Sequence, residues 1–368
     1  MTRILILGGC GITGRLLARH LLEQSEAQII LAGRSLEKAQ SYAEELNSTF
    51  KGERVSSIYV DASSQKTLLE ALKNVDMLLV AAPTAQYADI VIHAALESEV
   101  DYLDVQLDAK KYALLNSLAT EIKHAGRCFI TEAGFHPGLP AAMVRNAALQ
   151  LERMDSAIMA CYLNVGRTPY SEAMDELMEF FRHYQAQVFK GGGWTRPGSF
   201  DSQKVDFGGE VGVRKCFSMF IEELRPLPEM HPTLQELGFY VSETHWIVDW
   251  IIFPLIFAGL KIAPRRATSR LGKILWWSMK AFSKPPYLVS LKIEAKGEKN
   301  QKPVTFECFI SHADGYELTA IPVVACLLQY LDGTVRRPGL WMMGHLVEPL
   351  RFYNDMEKMG VEISSDTI

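Results

Sequence analysis

Gly9, Gly11 and Gly14 fall at the spacing GxGxxG within Gly8-Gly9-Cys10-Gly11-Ile12-Thr13-Gly14. The run follows a short apolar segment, Arg3–Leu7 (RILIL), and precedes a helical stripe of Leu16, Leu17, Leu21 and Leu22. A lone GxGxxG carries little, but between a strand and a helix it describes a dinucleotide phosphate loop. Gly9 then permits the tight turn, Gly11 lets a pyrophosphate approach the backbone, and Gly14 lets helix and strand pack closely. N–H groups at the helix start face the phosphates, and Cys10, Ile12 and Thr13 join the glycines as expected cofactor contacts. The alternative is a βα turn that binds nothing.

Twenty residues beyond Gly14 the second apolar segment ends as Ala32-Gly33-Arg34-Ser35. A site selecting NAD places an acid there for the ribose 2′-hydroxyl. Arg34 instead offers a guanidinium that can fork onto a 2′-phosphate, with Ser35 adding a hydrogen bond and Lys38 a charge. The residues therefore favour NADP(H), unless Arg34 is an ordinary surface arginine. Asp61 ends the third segment, where it meets an adenine amino group or caps the next helix. Ala82 and Pro83, small and at the end of the fourth segment, let the cofactor pass toward its nicotinamide.

Substrate groups belong at the carboxyl ends of the fourth to sixth strands, which selects Tyr87, Asp104, Gln106, Glu132 and His136. Asp104 and Glu132 either bind a substrate ammonium or hold a helix N-terminus. His136 is the histidine placed to protonate a nascent amine or alkoxide, although a residue before proline is also held extended and can simply shape the crossover. No Ser/His/Asp arrangement, HExxH or Walker loop occurs, so hydrolase and phosphotransferase chemistry find no support.

The elements that must position these residues follow the βαβ rhythm. Strands are expected at Arg3–Leu7, Gln28–Ala32, Val55–Val60, Asp76–Ala81, Tyr102–Val105 and Cys128–Thr131. Helices are expected at Ser35–Leu46, Lys66–Leu72, Ala88–Glu97 and Ala109–His124. Beyond Gly138 the strands Asp155–Leu163, Tyr287–Glu294 and Thr305–Ser311 alternate, as in an antiparallel sheet with one covered face. The fold class is α/β: a Rossmann-type doubly wound parallel sheet with an inserted α+β substrate or dimerisation domain. The expected domains are 1–136 for the cofactor, 137–316 for the insert, and 317–368 packing back on the first domain.

The chain has 368 residues, 48% hydrophobic and 22% charged, which excludes a disordered or collagen-like protein. Lys+Arg 38 against Asp+Glu 43 gives a net charge of −5, so a nucleic-acid partner is not expected. Cys10, Cys128, Cys161, Cys216, Cys308 and Cys326 include no CxxC pair, so neither a metal site nor a disulfide framework is expected. The opening MTRILILGG lacks a basic region before an apolar one, and no run of about 18 uncharged apolar residues occurs. The expected location is cytoplasmic.

ILGGCGITGR, LAGRS, EAGFHPGLPAAMVRNA and, near the end, DGYELTAIPVVACLLQYLDG with RRPGLW resemble the saccharopine dehydrogenase-like family, in its saccharopine reductase-type NADP-binding branch. The first motif is shared by many Rossmann proteins, whereas the HPGLP crossover and DGYELTA ending are more discriminating. The resemblance implies a Rossmann domain completed by C-terminal elements, an inserted substrate domain, and NADP(H) at Gly9, Gly11, Gly14 and Arg34. It implies an oxidoreductase that joins an amino acid to a carbonyl compound or reduces another substrate. Saccharopine-forming enzymes need basic groups for several carboxylates. The Arg-rich segments here lie in an insert dominated by Trp, Ile and Phe, so the lysine-pathway substrate is not carried over.

That insert, 246–284, begins WIVDWIIFPLIFAGL and continues with Lys261, Arg265, Arg266, Arg270, Lys273, Lys280 and Lys284 among Trp276, Trp277 and Phe282. No acid lies between Trp250 and Ile293, so 250–291 carries +7 and the rest of the chain −12. The uninterrupted apolar run is about half of what spans a bilayer. Peripheral contact with an anionic membrane, a homodimer interface and plain core are the three readings, the first suiting a hydrophobic small-molecule substrate. The expected function is an NADP(H)-dependent oxidoreductase acting on a C=N or C=O bond. The alternatives are a non-catalytic NADP-sensing protein that binds a membrane or partner, and a homo-oligomeric scaffold with a vestigial cofactor site.

Overall fold

The computed structural model describes residues 1–164, 166, 170, 173–198, 201–262 and 264–368, with the side chains of 173, 176, 183 and 264–267 outside the described set. The chain forms two compact units, Met1–Gly138 with Thr319–Glu348, and Leu139–Leu318 with Pro349–Ile368. In the first unit β1 (Arg3–Leu7), β2 (Gln28–Gly33), β3 (Val55–Tyr59), β4 (Met77–Val80), β5 (Asp101–Asp104) and β6 (Cys128–Thr131) alternate with helices. The second unit contributes β7 (Arg153–Leu163), β8 (Val188–Lys190), β9 (Gly193–Thr195), β10 (Ser202–Asp206), β11 (Val213–Met219), β12 (Glu236–Ser242), β13 (Val289–Lys299) and β14 (Lys302–His312). Last come β15 (Gly339–Met342) in the first unit and β16 (Glu362–Thr367) in the second.

The first sheet has seven parallel strands in the order β15-β6-β5-β4-β1-β2-β3. Ile4–Leu7, Met77–Val80 and Phe129–Ile130 are all buried, as strands covered on both faces must be. Strand order reverses beside β1, between β2 and β4, and such a switch point opens a crevice at the carboxyl ends of the strands. The expected helix Ala109–His124 is two helices, Ala109–Ser117 and Ala119–His124.

The second sheet is mixed rather than antiparallel: β12 pairs with β7 in parallel, while β13 pairs antiparallel with both β7 and β14. The Gly-rich loop at Lys190–Gly193 is the β8–β9 hairpin turn, with Gly191 and Gly192 both at positive φ. The expected C-terminal unit 317–368 divides. β15 extends the first sheet beside β6, but β16 pairs antiparallel with β14 in the second. Phe352 and Met356 of the helix Pro349–Lys358 are fully buried, and that helix also belongs to the second unit.

The apolar-basic insert folds as a π-helical turn, Val248–Ile252, followed by helices Phe253–Ile262 and Pro264–Phe282. With the helix Ala173–His183 these enclose a satellite core of Met174, Met178, Val248, Ile256, Leu260, Leu275 and Met279. Among the described residues no helix is long and apolar enough to cross a membrane.

Candidate cofactor site

Beside the central strand β4 of the first sheet, β1 passes through the glycine loop into the helix Ile12–Gln24. Gly8, at φ +89°, makes the turn, its N–H donating to the Ala32 carbonyl at 2.8 Å. The left-handed position of the tight turn expected around Gly9 falls one residue earlier, at Gly8. Gly9 is required by proximity: a Cβ there would lie 2.9 Å from Leu31 Cδ2 and 3.1 Å from the Ile6 carbonyl oxygen. At Gly14 a Cβ would lie 2.2 Å from the Gly8 carbonyl oxygen, so the helix packs against the loop as its spacing anticipated. Around Gly11 a Cβ would meet only the Gly8 oxygen, at 3.2 Å. Gly11 is also the N-cap, and no side chain caps the helix. Gly11 and Ile12 are exposed, Cys10 and Thr13 partly so. A helix start with open N–H groups and no Cβ in front of them suits a phosphate.

The charges of Arg15 and Lys38 act on Cys10 of this loop, and Arg34 follows the end of β2 and acts on Asp61. Arg34 and Lys38 are exposed. Arg15 holds its guanidinium 4.0 Å over the ring of Tyr42, whose hydroxyl donates to the Arg15 carbonyl at 3.0 Å. Burial raises the Cys10 thiol's pKa, against the opposing charges of Arg15 and Lys38. Sequence reasoning passed over Arg15, although its place directly after the last glycine of the motif was a signal. Ser35 is the N-cap of the helix Leu36–Thr49 but makes no capping hydrogen bond with its hydroxyl. Asp61 is not a helix N-cap, since Ser64 takes that place for Gln65–Ala71 and accepts from Thr67 N–H. Asp61 instead accepts from the Ser63 hydroxyl at 2.7 Å and N–H at 2.9 Å. These bonds, with a smaller contribution from Arg34, hold its carboxyl below the ordinary aspartate value.

The ends of β4, β5 and β6 are tied together from inside. Gln106 donates through Nε2 to the Ala82 carbonyl at 2.7 Å and to Thr84 Oγ1 at 3.1 Å. That bracket fixes the Ala82-Pro83 turn, which leads through Ala85–Tyr87 into the helix Ala88–Glu97. Tyr87 is half-buried and packs on the core beneath. Asp104 is fully buried, and Lys111 Nζ approaches its Oδ1 to 2.5 Å while also donating to the Gln106 carbonyl and Thr131 Oγ1. Thr131 Oγ1 donates to the other carboxylate oxygen at 2.8 Å, and the backbone N–H groups of Gln106 and Glu132 complete the set. A carboxylate so enclosed holds the scaffold together rather than offering an oxygen to a ligand, and Lys111, unremarked in the sequence, is its counterion. The same correction applies to Gln106, whose amide is committed to the β4 turn.

The crossover after β6 is backbone-dense. Glu132 is buried at φ +53°, and Gly138, at φ +122°, would bring a Cβ within 2.5 Å of the Gly134 carbonyl oxygen. The ring of His136 lies 4.5 Å from that of Phe135, and burial lowers the imidazole below the usual histidine value. Burial thus favours its neutral form.

A glycine-loop parallel sheet of this order is a Rossmann dinucleotide-binding domain. Residues 4–128 match the family model of the saccharopine dehydrogenase NADP binding domain, a match that indicates NADP(H) binding in this part of the chain. No curated protein matches the sequence. Among solved structures, apo saccharopine dehydrogenase (L-Glu forming) from Saccharomyces cerevisiae has the same fold over the whole length. It is 14% identical, covers 100% of both chains and has a TM-score of 0.71. A dehydrogenase from Chromobacterium violaceum (10% identity, 97% of this chain and 93% of that one) reaches a TM-score of 0.45. A myo-inositol dehydrogenase from Corynebacterium glutamicum (11%, 100% and 99%) reaches 0.43.

Proposed function

We propose that the protein is an NADP(H)-dependent oxidoreductase that moves a hydride to or from a C=N or C=O bond of a small-molecule substrate. The carrying observation is the glycine loop, where a Cβ is excluded at Gly14 and the uncapped helix start follows Cys10, on which the charges of Arg15 and Lys38 act, with Arg34 directly after β2. NADP(H) supplies or accepts the hydride when bound. Gly9, Gly11 and Gly14, with the N–H groups of Cys10, Ile12 and Thr13, receive its pyrophosphate. Arg34 and Ser35 receive the 2′-phosphate, Asp61 lies on the adenine side, and Ala82-Pro83 leaves a path toward the nicotinamide. His136, whose neutral form is favoured by burial, accepts a proton in the oxidative direction and gives it back in the reductive one, so reductive turnover through it rises as pH falls. Glu132 and Tyr87 remain the substrate-side groups of this reading.

Calorimetric titration with NADPH and NADH tests the cofactor assignment. NADPH should bind at least about tenfold more tightly than NADH, and Arg34→Ala should remove that preference while leaving NADH affinity unchanged, since about 1.4 kcal/mol is modest for a charge-assisted pair. Equal loss for both cofactors would show that Arg34 supports the loop rather than reading the phosphate.

A further inference from the structure

Cation and tryptophan share the outer faces of the insert helices in the second unit. Along Phe253–Ile262 and the turn before it, Trp246 (61% exposed), Trp250, Ile251, Leu255 (63%) and Ile262 (84%) recur every few residues on one side. Their opposite side, Val248, Ile256 and Leu260, is buried in the satellite core. On the helix Pro264–Phe282 the exposed stripe is Arg270, Lys273, Ile274, Trp277 (62%) and Lys280, while Leu275 and Met279 point into that core. The side chains of Arg265 and Arg266 lie outside the described residues.

The two stripes meet in one patch. The His245 ring stacks on Phe282 with centroids 4.9 Å apart; Trp246 adjoins His245 at 6.0 Å and Trp277 adjoins Phe282 at 6.4 Å. Lys215 adds a cation 5.9 Å over the ring of Trp250. The nearest acid in sequence, Asp249, is partly buried and engaged locally, accepting from the Thr244 N–H and hydroxyl. The patch thus exposes large apolar side chains and positive charge together, on a chain whose remainder carries −12.

We infer that this face is a docking surface for an anionic lipid bilayer. Indole rings at the headgroup level and lysines above them are what an interfacial helix presents, and anionic headgroups complement the charge. A second copy of the chain fits the face less well, because a two-fold contact sets the same patch against itself and would oppose these cations with no acid between Trp250 and Ile293 to relieve them. The inference does not rest on the cofactor reading.

Flotation of the full chain with vesicles tests it. Binding is expected to vesicles of mixed phosphatidylglycerol and phosphatidylcholine, weakening as salt is raised, and to be much weaker with phosphatidylcholine alone. Lys273→Gln with Lys280→Gln should lower the partition coefficient roughly 25-fold, at about fivefold per charge. Trp277→Ser should weaken binding at every salt concentration. All three positions are exposed, so circular dichroism melting should be unchanged and a folding defect is separable. Absence of flotation with anionic vesicles at low salt, or flotation indifferent to both variants, overturns the inference. So does a concentration-dependent dimer that is lost in Trp277→Ser while no vesicle binding is seen, which would assign the face to a second copy.

Discussion

Lys111 is the residue on which the carboxyl ends of β5 and β6 depend. Its ammonium and the Asp104 carboxylate are both fully buried, where each would be costly alone. Lys111→Met should therefore cost about 3–5 kcal/mol in urea unfolding, because it strands the Asp104 charge. Lys73→Met, at an exposed turn, should stay within about 0.5 kcal/mol. His136 gives a second residue-scale expectation. Its folded-state pKa is lowered by burial, so the unfolded chain takes up the proton first as pH falls through about 6.5. Stability should fall from pH 7 toward pH 5.5, and by less in His136→Asn, as denaturant midpoints at the two pH values will show. His231, whose pKa is lowered in the same direction by burial and by Arg145, supplies a remaining slope in that variant. Lys111 was invisible in the sequence because a lysine one turn into an amphipathic helix reads as solvated surface. Only the approach of Thr131, twenty positions on, and the burial of Asp104 beneath it make it a core residue.

Among the elements, β13 and β14 are joined by the two-residue turn Asn300-Gln301, with φ of +53° and +61°. Both positions are left-handed, the geometry that suits Asn followed by Gly. Gln301→Gly should relieve the strain and raise stability by roughly 0.5–1 kcal/mol, measurable as a shift in the urea midpoint. The strands of the Rossmann half were legible chiefly through short apolar runs, as in β1, β2, β4 and β6, alternating with helical stripes, and β1 and β6 fall at their expected bounds. β15 was not singled out: Gly339–Met342 has four residues, and its partner Cys128–Thr131 lies some two hundred positions earlier. The parallel pairing of β12 with β7 escaped for the same reason, since alternation marks a covered face and does not reveal a partner's direction.

At the level of the whole molecule, the last twenty residues decide the edge of the second sheet. Deleting 349–368 removes β16 from β14 and takes away the buried Phe352 and Met356. Hydrogen exchange should then lose protection at Lys302–His312 and Leu139–Gln150, an element packed on Pro349–Lys358, while β1, β2 and β4 keep theirs. Loss of protection in β1, β2 and β4 would instead place this tail with the first unit, as the resemblance led one to expect. What the sequence determined by itself was local: the glycine spacing, the arginine after β2, the strand–helix rhythm and the acid-free insert, all set by residues within a few turns of one another. The tertiary structure decided what depends on remote partners. It set the left-handed position of the glycine turn at Gly8, gave Asp104 a buried counterion, turned Asp61 toward Ser63, split the C-terminal segment between two sheets, and brought Trp246 and Trp277 to either side of one ring stack. Each is a matter of which surfaces meet when the chain closes, and burial and pairing energies act only on groups that have met.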